Sequence, residues 1–164
     1  MKTTSTFAAN ALNFFLNLST PNNLPGNISA MNPYLENGVS SIVESFYKKY
    51  FCDNNKRILA LGINPGRFGG GITGVSFTDP IALENFCGIS NNFQKKKEVS
   101  SEFIYNFINK FGGTKIFYSK FFISALYPLA LIKDGLNYNY YDEKKLYNLL
   151  KPFIIKTVIA HIDF

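Results

Sequence analysis

Apolar positions near the start of the chain recur at helical spacing. Phe7, Ala8, Leu12, Phe14, Phe15 and Leu18, within Thr4 to Leu18, predict an amphipathic helix. The following stretch, Ser19 to Ile28, is rich in Ser, Pro, Asn and Gly and reads as a loop. Asn32-Pro33 then opens a second predicted helix, with Tyr34, Val39, Ile42, Val43 and Phe46 on its apolar side and Lys48-Lys49 near its carboxyl end, where the helix dipole favours cations. Arg57 to Gly62 is a short, nearly continuous apolar run of the kind a buried strand shows. Further on, Glu98 to Phe111 places Phe103, Ile104, Phe107, Ile108 and Phe111 on one helical stripe, and Gly112-Gly113 stops it. Within Lys115 to Leu126 a second buried strand is predicted at Phe121 to Ala125, ending before Tyr127-Pro128. Asp142 is the predicted N-cap of a last helix with Leu146, Leu149, Leu150, Phe153, Ile154, Val158 and Ile159 facing inward. Helices alternating with apolar strands predict an α/β protein, three layers (α/β/α) around a short, mainly parallel sheet. The reading divides the chain into an N-terminal helix and loop, residues 1–21, and a main domain, residues 22–164.

Composition fits one globular domain: 164 residues, 46% hydrophobic and 17% charged. With 17 Lys and Arg against 11 Asp and Glu, the net charge of +6 favours a polyanionic partner. The two cysteines, Cys52 and Cys87, lie far apart without a C-x-x-C pair, which excludes a cysteine-based zinc site or four-thiolate cluster and suits a reducing compartment. Asn10, Asn13 and Asn17 interrupt the apolar stretch Phe7 to Leu18, and no basic segment precedes a proper signal-peptide core. A cytoplasmic protein with no membrane partner is expected.

The chemistry-bearing feature is the passage from the first strand into Asn64-Pro65-Gly66 and the glycine-rich loop Arg67 to Phe77. It sets one amide side chain at the carboxyl end of a strand, where α/β sheets bind ligands. Alone, Asn-Pro-Gly is a common turn. Gly69-x-Gly71-x-x-Gly74 has the spacing of a dinucleotide fingerprint, but it follows its strand by too many residues and no helix pattern starts at Gly74. Lys95-Lys96-Lys97 reads as a solvated patch, with Lys96 kept as a phosphate candidate. His161 reads as a surface or packing histidine, and Asp79 as a turn residue.

Gly62 to Phe77 resembles motif 1 of the uracil-DNA glycosylase superfamily, in particular its single-strand-selective monofunctional type: Gly-x-Asn-Pro-Gly followed by Thr-Gly-Val-x-Phe. Met31-Asn32-Pro33-Tyr34, Glu98-Val99-Ser100-Ser101 and Phe122 to Leu129 resemble further blocks in the same order, so the similarity runs over roughly residues 22–160. The resemblance implies a glycosylase-like α/β fold and hydrolysis of the N-glycosidic bond of uracil or another deaminated base. In that reading Asn64 positions a water against C1′ of a flipped-out nucleotide, which needs orientation more than strong base because cleavage is largely dissociative. Phe77 stacks on the base; Gly62, Ile63, Gly66 and Ser124 complete its pocket; Arg67, Gly70, Ser100 and Lys96 contact DNA. No metal or cofactor is expected, no lysine is placed for a Schiff-base step, and the partner is DNA, single-stranded or with a flipped base, met by a monomer. The chain departs from the family in two places. Ala125 stands where classical members carry a base-reading asparagine, so the neighbouring Ser124 is expected to broaden base choice. The His-Pro segment of motif 2 is absent, since no proline follows His161, which implies a fragment with an unpaired sheet edge. A catalytically impaired, DNA-binding remnant is the alternative. A nucleotide-binding enzyme would need a lysine or a helix start after the glycines, and the pattern predicts neither.

Overall fold

The computed structural model describes residues 5–164. Helix α1 spans Phe7–Leu16, capped by Thr6, whose hydroxyl accepts the Ala9 N–H at 3.2 Å. Thr4, the first residue of the predicted helix, lies outside the described residues. Asn32-Pro33 opens a single 3-10 turn, Pro33–Leu35, rather than the long helix expected there. Asn32 caps that turn at Tyr34 N and donates to the Leu18 carbonyl at 2.7 Å, tying it to the end of α1. Helix α2, Val39–Tyr50, begins only after Gly38, which adopts a left-handed φ of 82°.

Strand β2, Ile58–Gly62, pairs in parallel with β3, Phe121–Ala125, from Ile58↔Phe121 through Gly62↔Ala125. Both strands fall where the apolar runs predict them. The ladder continues beyond them, Leu126 N–H donating to Gly62 O at 2.9 Å and Tyr127 N–H to Ile63 O at 3.1 Å. A second, antiparallel sheet adds to the parallel pair that the sequence pattern predicts. It has the order β1-β4-β5, with β1 at Ile28–Met31, β4 at Ala130–Lys133 and β5 at Leu136–Tyr138. Asp134 and Gly135 join β4 to β5 with φ of 51° and 74°, the positive pair that a two-residue hairpin turn requires. The fold is therefore mixed α/β with short sheets, and the parallel pair has no further strand on either edge among the described residues.

Helices α3 (Gly70–Thr73), α4 (Pro80–Asn85), α5 (Val99–Phe111), α6 (Thr114–Lys120) and α7 (Lys144–Ile162) complete the chain. Two predicted faces are corrected. In α5 the buried residues are Ser101, Tyr105 and Ile108, while Phe103 and Phe107 are exposed. The helix turns this way because Tyr105 carries its hydroxyl into a buried polar cluster, 2.9 Å from Thr78 Oγ1, 3.1 Å from Cys87 Sγ and 3.2 Å from Tyr118 Oη. In α7, Leu146 and Leu150 are buried, but Leu149 and Ile159 face outward. Asp142 does not cap α7; its carboxylate accepts the Asn139 N–H at 2.8 Å and closes the turn before the helix. Among the described residues no helix is long and apolar enough to cross a membrane.

His161, on α7, is buried among Phe14, Phe15, Phe122 and Phe164. Its Nδ1 lies 2.6 Å from the Thr157 carbonyl, which only accepts, so Nδ1 carries the proton. Nε2 then accepts from the Ser124 hydroxyl at 2.6 Å. Burial holds the imidazole pKa below its ordinary value, against a smaller opposing effect of the Thr157 hydrogen bond. The unfolded chain therefore binds this proton more readily than the folded one, and stability falls as pH drops through and below about 6.5. Melting temperature measured from pH 8 to pH 5 is expected to decline, with a shallower decline in His161→Gln. Ser124→Ala leaves Nε2 buried without a donor and is expected to lower unfolding free energy by about 1–3 kcal/mol, read by urea denaturation.

Candidate active site

The carboxyl ends of β2 and β3 meet at Gly62 and Ala125, two residues too small to fill the space beyond them. A cleft of about 330 Å³ opens there, lined by Gly62, Ile63, Asn64, Gly66, Phe77, Ala125 and their neighbours. That volume lies at the lower end of the ~300–1,000 Å³ typical of small-molecule sites. The Phe77 ring forms one wall by occupying the place a Gly62 side chain would take: a β-carbon on Gly62 would sit 2.4 Å from its Cζ. Phe77 has a φ of 54°, strained for a residue with a β-carbon. The loop around it is fixed from inside. Thr73 Oγ1 donates to Thr78 O at 2.7 Å and accepts from Val75 N–H at 3.1 Å, and Tyr34 Oη donates to Gly74 O at 3.0 Å.

Asn64 follows β2 directly. Its Nδ2 donates to the Tyr138 carbonyl of β5 at 3.0 Å, which settles the orientation of the amide. The other end, Oδ1, is buried without a partner. Glu98 also lines the cleft. Its carboxylate packs against the glycine loop so closely that a β-carbon on Gly66 would lie 2.4 Å from Oε2, and one on Gly69 2.7 Å. Ser100 Oγ donates to Oε1 at 2.7 Å, while Oε2 is buried without a partner. Asp79, read from sequence as a turn residue, caps α4 at Ala82 N (2.7 Å) with one oxygen and accepts the Glu98 N–H (3.0 Å) with the other.

Of the residues singled out in the sequence, the fold gathers Gly62, Ile63, Asn64, Gly66, Phe77 and Ser100 around this cleft. Ser124 is not among them. Successive residues of a strand face opposite sides, so with Ala125 at the cleft, Ser124 points to His161. Gly70 is buried beneath the loop, where a β-carbon would meet Val75 O at 3.0 Å and Pro65 Cβ at 3.1 Å, and so presents no surface to DNA. Arg67 and Lys96 come together outside the cleft, both over the Phe68 ring, at 4.5 and 4.4 Å from its centroid. Their neighbours in the lysine run are paired, Lys95 with Glu84 at 3.0 Å and Lys97 with Glu102 at 3.8 Å. Glu98, Asn137 and Asn139 are cleft residues that sequence reasoning passed over as site candidates. The alternation Leu136-Asn137-Tyr138-Asn139 after an Asp-Gly turn was the available signal for the last two. Among the described residues no cluster of His, Cys, Asp and Glu is arranged to hold a metal ion.

No protein-family model and no curated protein matches the chain. Among solved structures, the crystal structure of SMUG2 from Pedobacter heparinus superposes with a TM-score of 0.91 at 44% sequence identity, over 98% of this chain and 71% of that one. Identity at that level along nearly the whole chain exceeds a shared fold. The chain belongs to the uracil-DNA glycosylase superfamily and is SMUG2-like within it.

Proposed function

We propose that this chain is a monofunctional DNA glycosylase that hydrolyses the N-glycosidic bond of uracil or another deaminated base in DNA and leaves an abasic site. The observation that carries the reading is the Asn64 amide, held by its Nδ2 at the end of a parallel strand, with a buried, unpaired oxygen, in a residue that lines a cleft walled by the Phe77 ring. Oδ1 accepts a hydrogen of the attacking water and aims its oxygen at C1′. Orientation of this kind supplies several kcal/mol when the sugar is already becoming an oxocarbenium ion. The flipped base lies on Phe77, and the small residues Gly62 and Ala125 leave room for it. Without a large polar side chain at position 125, base choice rests on backbone groups and on Ser76, Asn137 and Asn139 along the cleft, which suits a range of deaminated bases. Arg67 and Lys96 carry two positive charges on the Phe68 ring beside the loop and meet the phosphate backbone, single-stranded at the target base, as the protein binds as a monomer.

The test uses a single-stranded oligonucleotide with one uracil, incubated with excess protein and then treated with hot alkali to cut abasic sites. Cleavage is expected from the unmodified chain and should fall by about 10²-fold in Asn64→Ala, since loss of orientation costs on that order. Folded protein that binds the oligonucleotide and leaves xanthine and hypoxanthine as intact as uracil refutes turnover and leaves a binding remnant. Phe77→Ala should weaken binding of the damaged strand by roughly 5- to 150-fold, the equivalent of the ~1–3 kcal/mol of one base–aromatic stack, read by fluorescence anisotropy.

A further inference from the structure

Adding water across a glycosidic bond releases a proton from the water oxygen, and the Asn64 amide has no basic lone pair to take it. A carboxylate shares its cleft. Among the described residues, the buried side-chain polar atoms without a hydrogen-bond partner are Asn64 Oδ1, Glu98 Oε2 and Tyr127 Oη, and the first two belong to residues that line this cleft. Both are acceptors. An unpaired buried acceptor costs about 1–3 kcal/mol, and a water has two O–H donors to offer such acceptors.

We propose that Glu98 is the general base: a water donates one hydrogen to Asn64 Oδ1 and the other to Glu98 Oε2, and Glu98 takes the proton as the water attacks. The inference rests on the glycosylase reading above. In the step, the C1′–N bond breaks with its electron pair going to the base, a lone pair of the water oxygen forms the C1′–O bond, and the released proton passes to Oε2. The departing base anion takes a proton from solvent, to which Glu98 later returns its own. The carboxylate is set up for this. Asp79 anchors its backbone and Ser100 occupies only Oε1. The glycines at 66 and 69 admit it to the loop that carries Asn64. The charged groups on the segments around it are Asp79, engaged at two backbone amides, Arg67 and Lys96, both over Phe68, and Lys97, beside Glu102. Among the described residues none forms an ion pair with Glu98.

The experiment measures single-turnover excision of uracil from the same oligonucleotide against pH for the full chain, Glu98→Gln and Glu98→Asp, with binding and unfolding midpoint recorded for each. General-base catalysis is typically worth 10²–10⁴-fold. Glu98→Gln, an isosteric change, is therefore expected to bind DNA as before, lose about 10²-fold or more in rate, and lose the acidic limb along which the unmodified rate falls. Glu98→Asp should keep that limb at a reduced rate. Glu98→Gln with unchanged rate and pH profile overturns the proposal, as does a variant that shifts preference among uracil, hypoxanthine and xanthine while retaining the acidic limb, because Glu98 would then read the base. If Glu98→Gln fails to fold, an Asp variant lacking the acidic limb overturns it equally. An unmodified chain that cuts none of these substrates refutes the glycosylase reading itself, a result distinct from normal excision that ignores Glu98.

Discussion

The register of one strand pair governs the site. Parallel pairing of Ile58–Gly62 with Phe121–Ala125 brings Gly62 opposite Ala125 at the same level, and the ladder runs on through Leu126 and Tyr127. Paired strand ends with a hydrogen and a methyl for side chains cannot close the sheet's rim. The vacated space at Gly62 receives the Phe77 ring, which walls the cleft that these residues line. A slip of one residue would set Leu61 or Ser124 at this level and turn every side chain of the strand to the other face. Asn64 depends on the same register, because it leaves β2 two residues after Gly62 and finds its fixed partner, the Tyr138 carbonyl, on the other sheet.

Polar satisfaction sets an interior that is quiet apart from the Tyr127 hydroxyl against an unsettled cleft. The core cluster of Tyr105, Thr78, Cys87 and Tyr118 closes its hydrogen bonds internally, as does the Ser124–His161–Thr157 chain. Most buried polar groups in folded proteins are so paired. Asn64 and Glu98, which line the cleft, are held in place by partners at one end of each side chain and keep a buried, unpaired acceptor at the other. Their ordering is thus accomplished during folding rather than during binding, which is how preorganised sites avoid reorganisation at the moment of reaction.

Much of this was legible in the sequence, for identifiable reasons. Strands β2 and β3, helix α1 and the carboxyl end of α2 announce themselves by period and by terminal residues. The Asn-Pro-Gly turn with Thr73-Gly74-Val75 and Phe77 marks the cleft loop. The hairpin β4–β5 was lost because its first strand continues an apolar run already ended at Tyr127-Pro128, although Asp134-Gly135 supplied the turn chemistry. Ser124 was misassigned by strand parity, since sequence says that two neighbours face opposite ways without saying which faces the ligand. The face of α5 is hidden from the sequence because the buried Tyr105 hydroxyl makes sense only with its three tertiary partners. Glu98 was unreadable as a site residue, for its position is defined by contact with glycines some thirty residues earlier.

Phe77 carries a consequence for how this loop tolerates change. A β-carbon in left-handed backbone costs about 1–2 kcal/mol, and the residues at ease there, Gly and Asn, have no ring. Backbone comfort and cleft architecture therefore ask for different side chains at one position. A substitution that relaxes the loop removes the wall of the cleft, and one that keeps the wall keeps the strain. Random drift here runs into a stability–function trade-off in both directions, so position 77 is one where a gain in folding free energy should be taken as a warning of lost chemistry.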